Sequence, residues 1–171
     1  MVTPNELKLN KSDFTPVGHD DFIRVDRRCK ELVLHFYNSL LAAETEPAEA
    51  TVLANGADFF IRDFVVDQMG LNLFTEVPGI VRKFAGNWYI ITTVDPDIRK
   101  LGEQLRGIRA FYSYLHCHGF ISMEYLASIE KECADLAFYE QRIEKFWQIA
   151  GDGYLAWERE CTLKNNGKEG A

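Results

Sequence analysis

Asp95 to Ser122 reads DPDIRKLGEQLRGIRAFYSYLHCHGFIS, and its spacing decides the fold class. Ile98, Leu101, Leu105, Ile108, Phe111, Tyr112 and Leu115 recur every three or four residues, the period of a helix with one apolar face. Asp97, Arg99, Lys100, Glu103, Arg106 and Arg109 fall mostly off that stripe. Asp95 is a ready N-cap, and Pro96 stands at the first helical position, where a missing N–H costs nothing. Gly119 supplies the left-handed residue that ends such a helix.

The same period runs through the chain on either side. Phe22, Val25, Cys29, Leu32, Phe36 and Leu40 alternate at three and four within a long helix that opens at Asp20 or Asp21 and runs to about Glu44. That spacing is close to a heptad seam and suits packing along another helix. Pro47 marks a restart. A second helix is expected from Pro47 to about Met69, stopping at Gly70, with Val52, Leu53, Ala57, Phe60, Ile61, Phe64 and Val65 inward. Gly56 inside it costs about 1 kcal/mol relative to Ala, which a close helix crossing or a kink would explain.

Thr75 is expected to cap a third helix with Pro78 in its first turn. Its far end, Trp88 to Val94 (WYIITTV), is rich in β-branched and aromatic residues and could read as a strand. A helix end is preferred, because no partner strand is visible and a lone strand leaves its backbone unsatisfied. Ser122 caps a fifth helix expected to reach about Ala150, and Tyr154, Leu155 and Trp157 make a last helical turn. The expectation is an all-α, single-domain bundle of about five helices over residues 20–160. It is preceded by a flexible arm (1–19) and followed by a frayed tail (161–171).

Composition narrows the function classes. The 171 residues suffice for one full core. No apolar run of about 18 residues is present, so no membrane span is expected, and the N-terminus lacks the apolar core of a secretory signal. Cys29, Cys117, Cys133 and Cys161 form no C-x-x-C pair and read as reduced thiols of a cytoplasmic protein. The net charge of −7 argues against a nucleic-acid binder. Residues 75–118, however, hold six basic side chains against four acidic ones, a mildly basic patch in an acidic frame.

No phosphate-loop, dinucleotide, nucleophile-elbow or zinc-protease motif occurs, so neither catalysis nor a cofactor is expected. His116, Cys117 and His118 are consecutive and cannot all face one metal ion from a helix. They read as a polar last turn suited to the helix dipole. Glu31 and His35 lack the repeated Glu-x-x-His of di-iron bundles and read as a surface pair. Glu140 with Glu144, and Glu132 with Asp135, are interleaved with Lys131, Arg142 and Lys145, the pattern of a solvated face. Two surfaces stand out. Arg82, Lys83, Arg99, Lys100, Arg106 and Arg109 could grip phosphates if their helices share a side, with Arg24, Arg27, Arg28 and Lys30 as further cations. Phe22, Val25, Leu32, Phe36 and Trp157 could serve a protein partner or a homodimer.

Residues 49–122 resemble the N-terminal, core-binding SAM-like domain of tyrosine recombinases and phage integrases. ATVLANGADFFIRDFVVDQMG (50–70) is similar to that domain's first helix, and Thr75 to Val77 with Ile80 to Phe84 to its short capped helix. LRGIRAFYSYLHCHGFIS matches its last helix, L-x-x-(L/I)-R-x-F-(F/Y)-x-(Y/F)-L followed by Gly-(L/F)-I. The resemblance implies a helical module that grips a DNA backbone. It implies no recombination chemistry, since the family's catalytic Arg, Lys, His, Arg and Tyr set is not found. The family's Asn-Pro junction after this helix is replaced by Ser122-Met123.

Overall fold

The computed structural model describes residues 8–161, and among them the chain is all helical, with no strand. Helix α1 spans Phe22–Ala42. Helix α2 begins at Pro47–Asp58 and continues with π geometry through Phe59–Gln68. Helix α3 comprises Ile80–Lys83, a π segment at Phe84–Trp88 and Tyr89–Thr92. Then follow α4 (Ile98–Cys117), α5 (Met123–Ala134), α6 (Leu136–Trp147) and α7 (Tyr154–Arg159). Two short 3-10 turns, Lys11–Phe14 and His19–Asp21, lead into α1. No helix among the described residues is long and apolar enough to cross a membrane.

Several expected ends hold. Glu46 caps α2, with Pro47 in its first turn, and Gly70 ends it at φ 62°. Ser122 accepts the Tyr125 N–H at 3.1 Å and caps α5. Gly119 sits at φ 74°. There the N–H groups of Gly119 and Phe120 reach the carbonyls of His116 and Leu115, the paired closure that a left-handed glycine permits. WYIITTV supplies the last helical turn of α3 and turns extended only at Thr93.

Others move. Asp97, not Asp95, caps α4: its carboxylate accepts the Arg99 N–H at 2.7 Å. Pro96 therefore precedes the cap. Thr75 caps nothing; α3 starts at Ile80, behind Gly79 at φ 87°. The expected fifth helix is two, which together with the last turn, Tyr154–Arg159, brings the count among the described residues to seven. The break is at Asp135 (ψ 48°). It frees the Glu132 carbonyl, which accepts the Tyr139 hydroxyl at 2.7 Å, so a side chain replaces the lost helical bond. The described part of the arm, residues 8–19, is docked. Phe14 is buried edge-on to Phe74 at 5.0 Å, and Lys11 Nζ donates to the Phe120 carbonyl. Cys161 is buried as well, while the rest of the expected tail lies outside the described residues.

Helices α2 and α4 form the central pair; α1 packs on α2, and α5 on α4. Gly56 and Gly107 meet where α2 and α4 cross. A Cβ on Gly107 would lie 2.3 Å from the Leu53 carbonyl oxygen, and one on Gly56 would lie 2.8 Å from the Gln104 Cα. The crossing, not a kink, is thus what Gly56 serves. The π segments of α2 and α3 face each other. Their wider turn brings Phe59, Phe60 and Phe64 to one side, all around Phe84 at centroid distances of 5.9, 5.1 and 5.4 Å. Each such ring contributes roughly 1.5–3 kcal/mol by leaving water.

Two carboxylates lock the far side. Glu76 accepts the N–H and hydroxyl of Ser122 at 2.7 and 2.8 Å, holding the start of α5. Glu132, on α5, accepts the N–H groups of Gly79 and Arg82 at 2.8 and 3.0 Å and holds the start of α3. Each satisfies helix-end donors that have no partner within their own helix.

A groove beside helix α4

The arginines of α4 recur at seven and three, so they project from one side of it. Beside them, α4 and the junction of α5 with α6 leave a groove of about 580 Å³. Its floor is apolar: Ile98, Gly102, Leu105, Cys133, Ala134 and Leu136. Arg99, Glu103, Arg106 and Arg109 stand along it. Gly102 keeps the floor open, because a Cβ there would meet only Leu136 Cδ2, at 3.9 Å. Burial pushes the Cys133 thiol up to about 12, so it is a neutral part of the floor.

The arginines are not bare charges. Arg106 pairs with Glu49 from α2, Arg109 Nε lies 3.6 Å from Glu130, and Arg99 lies 3.8 Å from Asp97. Arg82, expected on the same basic surface, is turned elsewhere: its guanidinium stacks on Phe138 at 3.6 Å and pairs with Asp135 at 3.5 Å. Lys83 and Lys100 do not line the groove. The six cations therefore divide into three that share the groove and three that stand apart from it.

The proposed partner face on α1 is corrected. Val25, Leu32 and Phe36 are buried, as is Trp157. Phe36 meets Phe111 of α4 edge-on at 5.3 Å. The near-heptad seam is satisfied inside the bundle, and of its members only Phe22 and Leu40, one at each end, are half-buried. Trp147, not Trp157, is the exposed C-terminal indole, at 59%.

Arg142 overturns the reading of the α6 charges. It is 1% exposed, the most buried charge of the described chain. Nε donates to the Gly86 carbonyl in the π segment of α3 at 2.9 Å, and Nη1 to the Trp157 carbonyl at 2.6 Å. Its guanidinium lies 3.9 Å from the Trp157 ring, and Trp157 Nε1 donates back to the Arg142 carbonyl at 3.0 Å. Glu160 supplies the counter-charge at 3.1 Å. Gly86 makes room, since a Cβ there would lie 2.7 Å from Cys161 Sγ. Glu132 and Asp135, also expected on a solvated face, hold α3 and Arg82. Glu140 and Glu144 are exposed, as expected.

The histidines keep the role of a polar helix end. His118 Nδ1 is 2.9 Å from the Tyr114 carbonyl and His116 Nδ1 is 3.1 Å from that of Ile121. Cys117 between them is exposed. Glu31 pairs with Arg28 at 3.1 Å, and Glu31 and His35 are both exposed. Among the described residues no three His, Cys, Asp or Glu side chains gather as a metal site. Comparison of the chain with protein-family models, with curated proteins and with solved structures gives no match.

Proposed function

We propose that the protein is a non-catalytic binding module and that the groove beside α4 receives an amphipathic helix of a protein partner. The observation that carries this is the pairing of an apolar floor with arginines already matched to carboxylates. A helix in a groove is anchored by apolar side chains at three- and four-residue spacing. Its polar side would meet a mixed-charge edge, with Glu103 open to a basic side chain of the partner. A volume of about 580 Å³ accommodates several such anchors.

The second reading treats residues 49–122 as a SAM-like core-binding unit gripping a DNA backbone. Its support is the shared edge of Arg99, Arg106 and Arg109. The physics favours it less. A phosphate strand has no apolar side for the floor, and it would have to displace Glu49, Glu130 and Asp97 near Glu103 in a chain of net charge −7.

The test uses two probes, an anionic naphthalene dye that reports apolar grooves and a labelled DNA duplex. The groove reading expects dye fluorescence with the wild type that falls severalfold in Gly102→Phe, whose ring fills the floor. It expects no duplex binding at about 50 mM salt. Dye binding indifferent to Gly102→Phe would refute the groove. Duplex binding that weakens steeply toward about 200 mM salt, and vanishes in Arg99→Glu/Arg106→Glu/Arg109→Glu, would establish the DNA reading instead.

A further inference from the structure

The joint between α5 and α6 is one residue wide. Asp135, at ψ 48°, alone separates Met123–Ala134 from Leu136–Trp147. Its surroundings carry no helix breaker, since KECADLAFYE (131–140) contains neither Gly nor Pro. Tyr125, Ile129, Cys133, Leu136, Tyr139 and Ile143 keep a three- and four-residue spacing straight across it. The bend also leaves main-chain bonds unmade. The N–H groups of Leu136, Ala137 and Phe138 open α6 and have no acceptor within it. The Asp135 N–H reaches the Glu132 carbonyl only at 3.4 Å. A straight helix would offer those three donors the carbonyls of Glu132, Cys133 and Ala134.

What holds the bend lies beyond the joint. Helix α6 packs on α4 and on the π segment of α3. Tyr139, Arg142 and Ile143 are buried there. Arg142 donates to the Gly86 carbonyl, and Asn87 Nδ2 donates to the Glu158 carbonyl of α7 at 3.3 Å. In one copy alone, straightening would carry Tyr139, Arg142 and Ile143 into water, so burial overrules the local preference for a continuous helix.

We infer that two copies exchange α6 and α7, each chain running straight from α5 through Asp135 and seating its α6 and α7 on α3 and α4 of the other copy. The contacts of the seat are remade between copies, because the surfaces that meet are the same ones that meet within one chain. The helix bonds across the joint are added in both chains. The exchange is mutual and closed, as a two-fold dimer requires. It also makes the α4 groove a shared site, with Gly102, Leu105 and Cys133 from one copy and Leu136 from the other. The exchange stands whether or not a partner helix enters that groove. Since α6 and α7 must leave one seat before taking another, the two forms interchange slowly, and the concentration during refolding sets their ratio.

The test is refolding from urea at low micromolar and at several hundred micromolar protein, followed by size-exclusion chromatography. Monomer is expected from the dilute sample and dimer from the concentrated one. Asp135→Ala should favour the dimer and Asp135→Gly the monomer. Their dimerisation constants should differ more than about tenfold, because each dimer holds two joints. Gly86→Cys in a Cys117→Ser background, which removes the exposed native thiol, places a thiol beside Cys161. Cys161 travels with α7, so the oxidised dimer should stay linked on a non-reducing gel. Should Gly86→Cys not fold, Gly102→Cys/Leu136→Cys joined by a short bismaleimide gives the same readout, since Gly102 has room for a side chain. Monomer alone at every concentration, in both wild type and Asp135→Ala, would overturn the proposal. So would a dimer whose bridge to Cys161, or whose bismaleimide link, stays within one chain, or equal dimer from Asp135→Ala and Asp135→Gly.

Discussion

Gly107 of α4 and the Leu53 carbonyl of α2 stand so close that a methyl group on Gly107 would lie 2.3 Å from that oxygen. The same methyl would be 3.0 Å from Ala57 N and from Gly56 Cα. None of these neighbours is the free end of a side chain, so relief requires the two helices to separate. The aromatic layer beneath them, Phe60 against Tyr112 at 6.1 Å, would separate with them.

Gly107→Ala should therefore cost about 1–3 kcal/mol or more, the range for overpacking a core. Gly102→Ala, five residues earlier on α4, should do the opposite. Its Cβ has room, and replacing a helical glycine gains about 0.5–1 kcal/mol. Urea unfolding midpoints that move in opposite directions at an unchanged slope would bear this out. A Gly107→Ala variant as stable as the wild type would disprove the close crossing.

Arg142 joins three helices through α3's Gly86 carbonyl and α7's Trp157. Arg142→Ala takes the guanidinium from both carbonyls, leaving that of Trp157 only the Glu160 N–H at 3.3 Å, and a hydrogen bond to a charged group contributes about 1.5–3 kcal/mol. A loss of about 2–5 kcal/mol is expected, with Trp157 emission shifting toward that of a wetted indole. Arg142→Lys should not rescue it, because an ammonium cannot reproduce a planar fork stacked on an indole. If Lys restores full stability, the buried site needs only a charge and the geometric argument fails.

Glu76 links acid stability to the joint between α3 and α5. The Ser122 N–H, then the Ser122 hydroxyl, hold its carboxyl below the ordinary value of 4.5. A depressed carboxyl adds stability above its unfolded pKa, and that stability is lost as pH falls through the folded value. Glu76→Gln should destabilise the protein at neutral pH and by progressively less below pH 4.5. Unfolding measured from pH 7 to pH 3 tests this, and a mutational effect independent of pH would count against the Glu76–Ser122 contact.

The helical class was readable because burial imposes its period on the sequence. Leu101, Leu105, Ile108, Phe111, Tyr112 and Leu115 were expected inward and are buried, as are Val25, Cys29, Leu32 and Phe36. The function of the α1 seam was misread because periodicity reports that a face is covered, not by what. Arg142 was misread for a related reason. A charge beside Glu140 and Glu144 follows the pattern of a wet surface, and its real partners are backbone carbonyls 56 and 15 residues away. Caps were legible where a side chain serves its own helix, as at Ser122. They were not where Glu132 serves a helix 53 residues earlier.

The helical class, the inward faces and most helix ends are therefore written in the order of the residues, because these depend on interactions within a turn or two. Which glycines mark a crossing, which charges are buried, and which arginines of α4 share a groove emerge only from the packed bundle. Those depend on groups far apart in the chain, whose meeting is set by how whole helices pack.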